Sequence, residues 1–305
     1  MFEAIRGRKE CGAHSAINGC QSFCCLREEI LIFLSRCFDY MFKDPQARIV
    51  AKKSWGDYFL ITLESPKISA QSQPGQFLMV RVNAYHQPLL RRPLSIHSKN
   101  ENTIEIFFQI AGMGTELLSQ KELEDSMDIL GPLGKGLETG KKLKGKNVAV
   151  VGGGRGIAPL YFLIQELRSF GASARIFYGG KSQEDLPLKK KLEQTGFDLF
   201  CSTDDGSFGF KGFVSDFFNA ELKKFTPDRI FSCGPEQMMK KISDTAREKN
   251  IFAEFSLEAF MGCGFGACWG CVRRIRKSNQ EEWIKICEDG PVFSGNEIVW
   301  EEENT

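Results

Sequence analysis

The sequence predicts a β + α/β protein: an antiparallel barrel, a domain built on a parallel sheet, and a small cysteine-rich C-terminal domain. Three observations predict it. From Ala47 to about Leu143, short apolar runs are separated by turn residues; from Asn147, strands alternate with helices; beyond Ile251, four cysteines stand in a glycine-rich run. A chain of 305 residues has room for two domains, or three if one is small. The boundaries fall at residues 1–44 for an N-terminal extension, 45–143 for the barrel, 144–250 for the parallel-sheet domain and 251–305 for the last.

Composition narrows the functions. Forty Lys and Arg against 39 Asp and Glu leave a net charge of +1, which gives no electrostatic reason to expect nucleic acid or an anionic membrane as partner. No apolar run approaches the roughly 18–20 residues that span a bilayer; the longest near the start, Ile30 to Leu34, is a fragment. With no signal-peptide pattern either, the expected location is the cytoplasm. Eleven Cys are too few for a disulfide scaffold of this length, and in a reducing compartment clustered Cys point to metal or redox chemistry. Only His14, His86 and His97 are present, so a His-based metal site has little material.

The extension carries Cys11, Cys20, Cys24, Cys25 and Cys37 and one helical stretch from Arg27 to Phe42. Its cysteines lack the two-plus-two spacing of structural zinc sites. It reads as a poorly ordered segment, or as residues ahead of a natural start at Met41. The barrel strands are expected at Ala47–Ala51, Tyr58–Glu64, Gln76–Val82, Leu94–Lys99, Thr103–Ile110 and Ser126–Leu130, with turns at Pro74-Gly75 and Gly131-Pro132 and one helix near Thr115–Gln120. The next domain reads as strand Val148–Val151, helix Leu160–Phe170, strand Ala174–Tyr178, helix Leu188–Glu193, strand Leu199–Ser202, helix Val214–Phe218, strand Arg229–Ser232 and helix Glu236–Lys249.

Three motifs carry chemistry. Cys263, Cys268, Cys271 and Cys287 are spaced C-x4-C-x2-C-x15-C, the plant-type ferredoxin arrangement for a 2Fe-2S cluster. Gly262, Gly264, Gly266 and Gly270 let the backbone curl and aim amides at the sulfurs. Zinc is the rival, although its usual sites use two short C-x2-C pairs; buried free thiols are the plain alternative. The second motif is Gly152-Gly153-Gly154-Arg155-Gly156-Ile157-Ala158-Pro159, between a strand and a helix. That junction offers unpaired amides to a pyrophosphate, with a ligand-free tight turn as the alternative. Pro159 stands where the ordinary pattern has Gly. The third is Arg91-Arg92-Pro93-Leu94-Ser95 followed by Gly112-Met113-Gly114-Thr115: a Pro-braced Arg and a helix start that suit a second pyrophosphate, or a surface Arg and a plain turn.

Together with Cys233-Gly234-Pro235 after the last strand, these motifs resemble the ferredoxin–NADP reductase superfamily. The run Thr203-Asp204-Asp205-Gly206-Ser207 through Lys211-Gly212 and the ending Cys287 to Phe293 narrow the resemblance to the electron-transfer subunits of type B dihydroorotate dehydrogenase, over about Gln46 to Phe293. The resemblance implies FAD on the barrel, NAD on the parallel sheet and a 2Fe-2S cluster on the four Cys. Arg92, Pro93, Leu94 and Ser95 would meet FAD, with Ser95 near the reactive flavin edge. Gln109, Ile110 and Ala111 would lie along it, and Gly114 and Thr115 would take its phosphates. Gly152, Gly153, Gly154, Gly156 and Pro159 would hold NAD, and Cys233, Gly234 and Pro235 would meet the nicotinamide. Gln109 stands where the family often has Arg, and Trp269 is bulky for a cluster loop.

The implied partner is an FMN-containing dihydroorotate dehydrogenase catalytic subunit, two copies of each forming a heterotetramer. Its electrons would pass singly through the cluster to FAD and leave as hydride on NAD. Two alternatives stay open: a subunit of an NAD(P)H:ferredoxin or sulfide-type oxidoreductase with the same cofactors, and a redox-sensing module without turnover. NAD against NADP is open as well, since Lys181 would attract a 2′-phosphate while Glu184 and Asp185 would oppose it.

Overall fold

A computed structural model describes residues 42–83, 87–278 and 280–300. The extension and the helix expected from Arg27 therefore lie outside the described residues, except that Phe42 opens a strand. Strands β1 (Phe42–Trp55), β2 (Tyr58–Glu64), β3 (Phe77–Arg81), β4 (Arg92–Lys99), β5 (Thr103–Gln109) and β6 (Ser126–Leu133) close a barrel in the order β1-β2-β5-β4-β3-β6. Each neighbouring pair is antiparallel. Residues two apart face the same side of a strand, so Ile61 and Leu63, Leu78 and Val80, and Ile104 and Ile106 all fill the barrel interior with no exposure.

The first strand is longer than Ala47–Ala51, because Phe42 to Asp44 already pair with Gly131 to Ile129 of β6. Gly131-Pro132 is not a turn. It lies inside β6, where the register against β3 shifts between Phe77 and Met79, so the pair forms a bulge. A short helix, α1 (Pro66–Gln71), was not expected; Pro66 at its first turn sets the backbone, and Ile68 is its buried anchor. Helix α2 (Met113–Ser119) follows β5.

The second sheet contains β7 (Asn147–Gly153), β8 (Ser173–Gly180), β9 (Asp198–Thr203), β10 (Phe210–Lys211), β11 (Arg229–Cys233), β12 (Phe252–Ser256) and β15 (Val292–Ser294), in the order β10-β9-β8-β7-β11-β12-β15. All pairs are parallel except β12 with β15. Helices α3 (Ala158–Leu167), α4 (Lys189–Glu193), α5 (Val214–Glu221) and α6 (Glu236–Glu248) complete this domain. The sheet runs past the boundary expected at 250/251, since β12 and β15 both come from the C-terminal segment. What remains of that segment is the cysteine loop, the hairpin β13 (Val272–Lys277) and β14 (Gln280–Lys285), and α7 (Ile286–Asp289). The abundance of Phe finds its use under α5: Phe177 on β8 stacks on Phe200 at 4.9 Å and meets Phe218 edge-on at 5.2 Å. Each such burial contributes roughly 1.5–3 kcal/mol.

Candidate functional site: a cleft, an arginine–proline strand and a thiol loop

A cleft of about 820 Å³ opens at the C-terminal ends of the parallel strands, lined by Gly153, Gly180, Asp204, Gly234 and Leu257, with Tyr58 and Gln109 contributed by the barrel. The chain runs from β7 to β8 on one side and returns to β11 on the other, so the cleft sits at the switch point of the sheet, where open α/β sheets bind ligands. Its volume suits a nucleotide-sized ligand.

Two predicted motifs meet behind this cleft. A Cβ on Gly156 would stand 2.3 Å from the carbonyl oxygen of Cys233, and one on Gly152 would strike Ile157 at 2.7 Å. A Cβ on Gly153 would strike both Met238 and Pro235 at 2.8 Å. These glycines let the two loops interlock. Gly154 is different: its φ is +54° and nothing lies within 4 Å of a Cβ there, so it presents bare backbone to the cleft. Pro159 is buried in the first turn of α3.

Cys233 is 1% exposed, and burial, followed by the Glu258 charge, pushes its thiol well above the ordinary range. Glu258 forms an ion pair with Arg155 at 3.8 Å, and both residues line the cleft. Sequence reading missed Glu258, because nothing in its local context marks it; only the β12 strand brings it beside Cys233. It also missed Tyr58, whose hydroxyl donates to Asp185 Oδ1 at 2.8 Å and so ties barrel to sheet domain. Asp185 also receives the amide of Ser182 at 3.2 Å, and it lines the cleft together with Lys181 and Asp204.

On the barrel, the two arginines of the Arg-Arg-Pro motif part company. Arg91 pairs with Asp128 at 2.8 Å and donates to the carbonyls of Asp128 and Met79, which is a structural role. Arg92 lies over the start of α2, where a Cβ on Gly114 would stand 2.3 Å from its Nε. The structure thus brings Arg92 and Gly114 together. Thr115 is already engaged: its hydroxyl accepts from the Ala111 amide at 2.8 Å and donates to the Gly112 carbonyl at 3.0 Å, leaving only its backbone N–H for a phosphate. The Ile110 amide donates to the Asp57 carbonyl at 2.9 Å. Pro93 and Ser95 sit opposite Met79 and Phe77 on the outer barrel face, while Leu94 packs against the interior.

The four cysteines gather as two pairs. The thiols of Cys263 and Cys268 are free and within hydrogen-bonding reach of each other, as are those of Cys271 and Cys287. Among the described residues no three His, Cys, Asp or Glu side chains converge on one point. Amides point at the sulfurs as the glycine pattern predicts: Gly266 N–H donates to Cys287 Sγ at 3.1 Å and Gly270 N–H to Cys268 Sγ at 3.4 Å. The amide of Cys263 and then that of Gly270 draw the Cys268 thiol down to about 7, so it is readily a thiolate. Burial, followed by the neighbouring Cys271 thiol, pushes the Cys287 thiol up. Trp269 takes the left-handed conformation, φ +55°, with Lys285 Nζ 4.9 Å above its ring.

Known proteins share these parts. Residues 258–299 match the model of the iron-sulfur cluster binding domain of dihydroorotate dehydrogenase B, and residues 150–244 match the oxidoreductase NAD-binding domain. The dihydroorotate dehydrogenase B (NAD(+)) electron transfer subunit of Desulforamulus reducens is 37% identical over 245 residues, covering 80% of this chain and 93% of that protein. The same subunit of Shouchella clausii is 38% identical over 245 residues, with the same coverage of 80% and 93%. Among solved structures, a chain of an NADH-dependent reduced ferredoxin-NADP oxidoreductase superposes with a TM-score of 0.74 at 30% identity, covering 84% of this chain and 91% of that one. A ferredoxin NADP+ reductase from Neisseria gonorrhoeae shares the fold at 18% identity and a TM-score of 0.57, over 68% of this chain and 91% of that one. With two matching domains and relatives of this identity along nearly their whole length, the chain belongs to the family of dihydroorotate dehydrogenase B electron transfer subunits.

Proposed function

We propose that this chain carries electrons from dihydroorotate, oxidised in a catalytic partner subunit, through a 2Fe-2S cluster and FAD to NAD+ in pyrimidine biosynthesis. The observation that carries the reading is the pair of thiol pairs, set in an amide-lined loop beside the barrel and a switch-point cleft. Nicotinamide exchanges electrons in pairs as hydride, a two-iron cluster exchanges them singly, and a flavin does both, so FAD stands between the other two.

The chain's own residues hold and orient these groups. Cys263, Cys268, Cys271 and Cys287 would hold the 2Fe-2S cluster, which passes electrons singly, and the amides of Gly266 and Gly270 would offset the thiolate charge. Arg92 and the backbone of Gly114 and Thr115 hold the FAD diphosphate, while Pro93 and Ser95 present the outer face of β4 to its ring system. Gly154 and the N-terminus of α3 receive the NAD diphosphate, with Gly153, Gly234 and Pro235 shaping the cleft wall. Gly152, Gly156 and Cys233 act by packing those loops. The partner subunit contains FMN, two copies of each subunit assemble, and the complex works in the cytoplasm.

A second reading is favoured by the 30% identical chain of the NADH-dependent reduced ferredoxin-NADP oxidoreductase: a subunit with the same cofactors and a different partner. One experiment separates them. The chain is co-expressed with its dihydroorotate-oxidising partner, and the complex is assayed for FAD, FMN, iron and sulfide, and for NAD+ reduction by dihydroorotate. A fully loaded chain that binds no such partner, and instead exchanges electrons between NADH and ferredoxin, would establish the second reading.

A further inference from the structure

Along β3, Leu78 and Val80 face the barrel interior, so Phe77 and Met79 face outward. An outward position on a barrel strand is ordinarily wet, yet Met79 has no exposure. Its cover is the cysteine loop. A Cβ added to Gly264, between Cys263 and Cys268, would stand 2.3 Å from Met79 Cγ and 2.6 Å from its Sδ. Gly264 has φ +85°, so the loop turns its bare backbone into the Met79 side chain. Met79 shares one apolar cluster with Cys271 and Cys287. In the other direction it stands directly opposite Pro93 on β4, a cross-strand pair whose Cβ atoms lie about 4.5–5.5 Å apart. The Met79 carbonyl accepts from Arg91 at 3.3 Å, and Arg91 is itself clamped to Asp128.

We propose that Met79 is a positioning residue for electron exchange: its side chain, seated against Gly264, sets how closely the cluster loop approaches the outer face of β4 at Pro93 and Ser95. This rests on the proposed function, which puts the cluster on the loop and FAD on that face. One electron leaves one cofactor and arrives on the other; Met79 is neither oxidised nor reduced, and no bond or proton changes at it. Its effect is on separation, and single-electron transfer falls steeply as separation grows.

The test compares wild type, Met79→Ala and the volume-conserving Met79→Leu as loaded complexes. The flavin is reduced by a light flash in the presence of a sacrificial tertiary-amine donor, which is oxidised, and flavin reoxidation is followed together with cluster reduction. Met79→Ala should slow the exchange on the order of tenfold, as small misplacements of reacting groups do. Met79→Leu should restore most of the rate. Hydrogen exchange supplies a readout independent of turnover: amides of residues 262–267 should lose protection in Met79→Ala, while those of residues 152–158 keep theirs. Wild-type exchange rates together with wild-type protection of the loop in Met79→Ala would overturn the proposal. A wild-type complex that holds no FAD or no cluster would instead overturn the proposed function, so the two failures are distinct.

Discussion

His97 Nδ1 on β4 donates to the carbonyl oxygen of Ala158, the first residue of α3, at 3.1 Å. A carbonyl only accepts, so Nδ1 carries the proton of a neutral imidazole. The ring is fully buried, stacks on Tyr161 at 4.4 Å, and its Nε2 has no hydrogen-bond partner among the described residues. One barrel residue thereby fixes the start of the helix whose N-terminus faces the nucleotide cleft.

That contact predicts a pH dependence. Burial, followed by the Lys191 charge, lowers the His97 pKa from 6.5 to about 3. The folded protein keeps this ring neutral while the unfolded chain takes up a proton below pH 6.5. Its contribution is therefore fully present above that pH and is lost as pH falls toward 3, by up to about 1.4 kcal/mol per unit. The difference in thermal midpoint between wild type and His97→Gln should shrink from pH 7.5 to pH 5. Parallel midpoint curves for the two proteins would show that His97 titrates normally.

The approach of Arg92 to Gly114 predicts an effect that needs no change to Arg92 itself. In Gly114→Ala the new methyl group meets only the end of a flexible side chain, so the barrel stays folded while the guanidinium is displaced. Arg92→Ala should weaken FAD retention by about 1.5–3 kcal/mol, the range for a hydrogen bond to a charged group. Gly114→Ala should weaken it in the same direction by a smaller amount. FAD release measured by flavin fluorescence checks both, and unaltered retention in Arg92→Ala would remove Arg92 from the diphosphate.

Signals that are local in the chain were legible in the sequence. Cysteine spacing, glycine clusters at strand–helix junctions and the change from strand runs to alternating strands and helices all record local geometry. What escaped depends on distant partners. Phe252–Ser256 and Val292–Ser294 are too short to announce themselves, and only pairing with β11 and with each other makes them part of the sheet. Gly131-Pro132 has turn composition but sits in a bulge, because β3 shifts register opposite it. Period-two alternation would leave Met79 on a wet face, and the loop that covers it follows almost two hundred residues later. Glu258 carries no motif; the strand that precedes it brings it to Cys233.

The cleft's outer end predicts the choice of nucleotide that composition left open. Asp204 lines the cleft beside Lys181, and burial and then Asp205 push its carboxyl upward, so added negative charge is unwelcome there. A 2′-phosphate would bring such charge, whereas ribose hydroxyls can donate to the carboxylate. NAD should be preferred, and Asp204→Asn should lower KM for NADPH several-fold with little effect on KM for NADH. Steady-state flavin reduction with each nucleotide measures both constants, and an unchanged NADPH KM would assign the discrimination elsewhere.

Cys233 stands where nicotinamide-dependent chemistry is expected, yet its setting argues for packing over proton transfer. The thiol is buried, its pKa is raised first by desolvation and then by Glu258, and its carbonyl holds Gly156 at contact distance. A thiol raised in this way stays protonated throughout the working range and offers neither a thiolate nucleophile nor a base. Cys233→Ser should therefore change the rate of hydride transfer from NADH to FAD by a constant factor at every pH. The shape of the profile between pH 6 and 10 should be the same in both proteins. Native wild type should also resist alkylation at Cys233 while the cluster is intact. A step in the wild-type profile near the ordinary thiol pKa, absent from Cys233→Ser, would instead show that this thiol ionises during the reaction. Glu258→Gln supplies the complementary measurement. It removes the nearby charge that helps hold the thiol up and frees Arg155 from its ion pair, while burial alone should keep Cys233 protonated and the profile unchanged in shape.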